Sequence, residues 1–156
     1  MRSALAPNTG LPSAGGLTTQ IYSIALFDPN PGTANVGTTG GAIAHATYNN
    51  GFTSVFYIVN TGAASASFTL SFFDDNGAPL QAPLSLPQSG ATTTTAALTR
   101  TLAAGATLVI ETQAQASAAP VTGSAQLTTT GNISGFEIFR WTTFGQEASV
   151  PLDKTN

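Results

Sequence analysis

The chain has 156 residues, room for one domain with a buried core. Only 7% of its residues are charged, the net charge is −3, and the four basic residues are Arg2, Arg100, Arg140 and Lys154. That count gives no electrostatic footprint for nucleic acid and no basic patch for a membrane surface. No apolar run approaches the roughly 20 residues of a spanning helix, and without cysteine there is no disulfide framework or thiolate metal site.

Polar but neutral residues therefore coat the surface, and such a coat gives little repulsion between copies. It points to self-association or to a place outside the cell.

In chain order, the first stretch is "MRSALAPNTGLPSAGG", with one Arg and no apolar core of about 7–15 residues, which is not the pattern of an intact signal peptide. "LTTQIYSIALF" (Leu17 to Phe27) then reads as a strand apolar on both faces. Ile21, Ala25 and Phe27 lie on one face, and Tyr22, Ile24 and Leu26 on the other. It carries no charge, so it needs a cover, either its own domain or a neighbouring subunit. Ile21, Tyr22, Ile24, Leu26 and Phe27 are the expected subunit-interface residues. A Gly/Pro-rich connection, "DPNPGTANVGTTGG", separates this extension (residues 1–40) from the expected main domain (41–156).

From Gly41 onward, strand-like runs alternate with Gly/Pro/Asn punctuation, the all-β pattern of a sandwich or barrel. "GAIAHATY" holds the only histidine, His45, with an expected edge or surface imidazole. "TYNNGF" is a turn, because Asn and Gly accept positive φ. "FTSVFYIVN" (Phe52 to Asn60) is apolar on both faces and predicts a central strand. In "SFTLSFF", Phe68, Leu70 and Phe72 share one face, and Ser67, Thr69 and Ser71 the other. "DDNG" (Asp74 to Gly77) predicts a hairpin turn. Asp74 and Asp75 are also the weak calcium candidates, but adjacent residues of an extended chain point opposite ways, and no ligand spacing follows them.

The Thr run Thr92 to Thr95 predicts a strand, as do "ATLVIET" and "VTGSAQLTTT". "TQAQASAAP" (Thr112 to Pro120) predicts a loop. "ISGFEIFRW" places Phe136 and Ile138 on one face and Glu137, Phe139 and Trp141 on the other.

Candidate chemistry is sparse. A lone His45 cannot build a multi-His metal site, and no G-x-S-x-G elbow accompanies it. Glu111, Glu137 and Glu147 lack any spacing that pairs them, and Glu137 beside Arg140 suggests a plain ion pair. Trp141, Phe139, Phe144 and Tyr57, with Tyr48, are candidates for a sugar-stacking platform. Core packing explains the same aromatic residues. Lys154 stands too isolated for an internal cross-link, and "NIS" at Asn132 matches an N-glycosylation acceptor.

The segments "NGFTSVFYIVNTGAASASFTLSFFDDNGAPL", "LAAGATLVIET", "GSAQLTTTGNISGFEIFR" and "EASVPL", from about Gly41 to Leu152, together resemble Ig-like β-sandwich domains of secreted bacterial proteins. The resemblance implies an extracellular module and carries over no catalytic position; residues 1–40 fall outside it. The expectation is an all-β, Ig-like antiparallel β-sandwich of about eight to ten strands with an N-terminal strand extension. The expected function is non-enzymatic: a subunit of an extracellular bacterial filament or surface assembly, self-associating through strand donation. A carbohydrate- or surface-binding module is the alternative. No cofactor is expected beyond the weak calcium candidate.

Overall fold

The computed structural model describes residues 40–154. The extension strand Leu17 to Phe27, with all five expected interface residues, lies outside them. Eleven antiparallel strands follow in order: β1 (Gly41–Asn49), β2 (Phe52–Asn60), β3 (Ala66–Asp74), β4 (Ala82–Leu86), β5 (Ala91–Thr95), β6 (Ala97–Leu102), β7 (Thr107–Thr112), β8 (Val121–Thr129), β9 (Ile133–Trp141), β10 (Gln146–Pro151) and the two-residue β11 (Asp153–Lys154). The expected count of eight to ten is met by the first ten. Lys154, expected in a polar tail, instead pairs through its backbone with Gly41.

The pairings fall into two layers. One runs β5-β4-β7-β2-β9-β10 and the other β6-β3-β8-β1-β11. They face each other across one apolar core, in which Phe56 of β2 meets Phe72 of β3 edge-on at 5.7 Å. Phe68, Leu70 and Phe72 all point into this core, as their period of two requires. β2 sits between β7 and β9 and is covered on both faces, which explains its unbroken apolar run.

The β1–β2 corner is a two-residue hairpin. Asn50 has φ 50° and Gly51 φ 82°, the pair of positive angles that an Asn-Gly turn of type I′ needs.

Two strands change layers. β5 pairs with β4 in the first layer, and β6 continues the same run to pair with β3 in the second, with only Ala96 between. The Thr95 hydroxyl accepts from Ala97 N–H and donates to Ala97 O, closing the bend. β10 and β11 cross in the same way around Leu152. The sandwich is thereby laced at both edges and approaches a barrel.

The Asp74–Gly77 turn forms as expected and is closed by the antiparallel bridge Phe73 to Pro79; beyond it β3 and β4 share no ladder, because β4 joins the other layer. The loop expected from Thr112 onward runs from Gln113 to Pro120, with Thr112 itself closing β7.

Candidate functional site

Asp74 and Asp75 hold the turn. Asp74 Oδ1 accepts from Asn76 N–H at 2.9 Å and Ala78 N–H at 2.8 Å, an Asx turn. Asp75 Oδ2 accepts from the Thr122 hydroxyl at 2.8 Å. Their carboxylates thus serve separate partners, and among the described residues no three His, Asp or Glu side chains gather around one point.

The largest departure from the sequence reading concerns Glu137. It is fully buried, and no ion pair joins it to Arg140. Strand alternation separates them: Arg140 projects from the outer face of β9, and Glu137 from the inner face beside Phe56. Arg140 instead binds Glu147 Oε1 through Nε at 2.8 Å and approaches Glu111 Oε1 at 3.9 Å. Glu111 lies on β7, so the Arg140 side chain reaches across β2. Val55 and Thr53, both buried, lie on that outer face, with Thr53 in register with Arg140.

Among the described residues Glu137 has one partner. Ser54 Oγ donates to Glu137 Oε1 at 2.5 Å, and Ser54 Oγ accepts from Thr47 N–H at 2.8 Å. Ser54 N–H donates to Thr112 Oγ1, which donates to Thr47 O, both at 2.8 Å. Strands β1, β2, β7 and β9 are thus joined by one buried polar node. Glu137 Oε2 has no partner among the described residues. Burial pushes the carboxyl up to about 7, and the Ser54 hydrogen bond pulls the other way. Ser54, Thr47 and Thr112 were not singled out from sequence. The available signal was hydroxyl residues set within otherwise apolar strands.

Of the aromatic candidates, only Tyr48 is buried; Tyr57, Phe139 and Trp141 are half-buried and Phe144 is exposed. On the inner face of β9, beyond Glu137, His45 meets Phe139 edge-on at 5.1 Å, and Phe52 stacks on both Phe139 and Trp141. Trp141 then leads to Phe144, which is 61% exposed. His45 lies half-buried at a β-bulge between Ile43 and Ala46. On the outer face, Tyr57 stacks on Phe136 at 5.0 Å and 11°. Tyr48 is buried, and its hydroxyl reaches Gln81 O at 3.4 Å. Asn132 is exposed between β8 and β9, with its carbonyl accepting from Thr61.

The outer face of the second layer is a hydroxyl array. Ser67 bonds Thr101 at 2.7 Å and Thr69 bonds Thr99 at 2.8 Å, with Thr128 paired beside Thr69.

Fold and surface together define an all-β antiparallel domain with a neutral hydroxyl face and a buried carboxyl node. No protein-family model, curated protein or solved structure matches this chain.

Proposed function

We propose that this chain is a non-enzymatic structural subunit of an extracellular bacterial filament or surface assembly, joined by donation of Leu17 to Phe27 to a neighbouring subunit. The Ig-like assignment from the motif pattern belongs to the same proposal. The hydroxyl array on the β3–β6–β8 face carries it. Its side chains bond one another laterally, giving a stiff polar surface with almost no charge to hold copies apart. The test is electron microscopy and sedimentation of the full chain at rising concentration. Filaments or ordered arrays are expected, and Tyr22→Asp with Ile24→Asp should abolish them. A chain that stays monomeric at high concentration overturns the reading.

A glycan- or surface-binding module is a second reading, favoured by the partly exposed cluster of Phe52, Trp141 and Phe144. Phe144 tilts 60° against Trp141 and so breaks the flat face that a sugar ring prefers. Trp141 is the only tryptophan, so its fluorescence reports directly on titration with soluble polysaccharides. Saturable quenching would move this reading ahead.

A further inference from the structure

We propose that the acceptor for the donated strand is the free edge of β10, occupied by Leu17 to Phe27 of a second copy; this rests on the assembly reading above. Among the described residues β10 pairs only with β9, and all of Gln146 to Pro151 is exposed except the half-buried Val150. Its other edge therefore offers backbone N–H and C=O groups to a further strand from Gln146 to Val150, Pro151 having no N–H.

At the Val150–Pro151 end of this edge each face carries an apolar side chain, while Gln146, Glu147 and Ser149 make the other end polar. On the inner side Val150 stands beside Glu137 and packs on the core. On the outer side Pro151 stands beside Phe136, which is 42% exposed and stacked on Tyr57. A strand added here gains contacts through both of its faces, and Leu17 to Phe27 is the uncharged run with apolar residues on both.

Toward an uncharged strand, Glu147 is already neutralised by Arg140 at 2.8 Å. Of the other outer strands, β11 has only two residues, and β5 and β6 are lined by Thr92 to Thr95, Thr99 and Thr101, with Arg100 exposed. None of them has an exposed aromatic beside it as Pro151 has in Phe136. Residues 28 to 39 connect the donor to the domain; fully extended, twelve residues span about 40 Å, enough to reach a neighbour. The first strand of the domain starts paired to β11, just past the end of β10, so donor exit and acceptor edge lie close together on each copy.

The chain has no native cysteine, so full-length chains carrying Ile24→Cys and full-length chains carrying Ala148→Cys are co-expressed and oxidised. Tyr22→Cys and Leu26→Cys replace Ile24→Cys in turn to scan register, and Asn76→Cys in the exposed β3 turn replaces Ala148→Cys as the control. A chain-to-chain disulfide several-fold above that control is the expected result. The double variant Ile24→Cys/Ala148→Cys tests the chain's own edge, and a disulfide closing only within one chain overturns the second-copy occupant. Filaments without cross-linking at Ala148 overturn the acceptor and leave the filament reading standing. Inter-chain cross-links confined to closed dimers support the acceptor and overturn the filament.

Discussion

Ser54 and Glu137 are diagonal neighbours on adjacent strands. In register Ser54 faces Phe139 and Phe56 faces Glu137, yet the Ser54 hydroxyl crosses the diagonal to donate to Glu137 Oε1. That one bond gives Glu137, the most buried carboxyl among the described residues, its only partner there, and it opposes the burial that governs the pH behaviour expected of the fold.

Glu137 holds its proton to higher pH when folded than when unfolded, about 7 against 4.5. Its stabilisation is therefore fully present below about 4.5 and is lost as pH rises through about 7. Glu137→Gln removes this titration. Urea midpoints measured from pH 4 to 9 should show the variant gaining on the parent chain by up to about 3 kcal/mol across that window. A pH-independent difference between the two would show that the carboxyl does not titrate there.

Ser54→Ala removes both the donor to Glu137 and the acceptor for Thr47 N–H. Leaving two buried polar groups unpaired should cost about 1–3 kcal/mol each in the worst case. Since the Ser54 bond holds the carboxyl down, its loss should raise the Glu137 titration further. Carboxyl NMR titration of the variant reads that shift, and a downward move would contradict the node as drawn.

Gly135 lies on β9 against the Tyr57 carbonyl of β2, and a Cβ there would run into that oxygen. Gly135→Ala should force β9 away from β2 at an expected cost of about 1–3 kcal/mol. Thermal unfolding measures it; the turn-tip Gly145, with open space around it but φ 61°, provides a contrasting site where only backbone strain applies.

Asp74→Ala deletes two turn hydrogen bonds and should cost on the order of 1 kcal/mol, whereas Asp74→Asn keeps an acceptor and should stay close to the parent. Calcium added to the parent should leave its unfolding temperature unchanged, since the acids serve separate partners. A rise with calcium would restore Asp74 and Asp75 as a cation site.

Much of the architecture could be read from local pattern. The buried face of Phe68, Leu70 and Phe72, the Asn50–Gly51 turn and the two-sided burial of Phe52 to Asn60 each follow from residues close together in the chain. What escaped was set by distant partners. Alternation separates Glu137 from Phe136 but does not say which face is inward. A charge normally marks the solvent side, and only the Ser54 hydroxyl, 83 positions away, reverses that. The layer change at Ala96 was equally hidden, because no Gly or Pro marks it. Thr95 makes the bend with a side-chain hydroxyl, which a uniform threonine run conceals.

That bend has a mechanical consequence. Since Ala91 to Leu102 belongs to both layers, neither layer can slide over or peel from the other without first tearing a strand from its own sheet. Together with the crossing at Leu152 on the far edge, it acts as a seam sewn through two fabrics. The domain should resist shear as one body, yielding all at once or not at all.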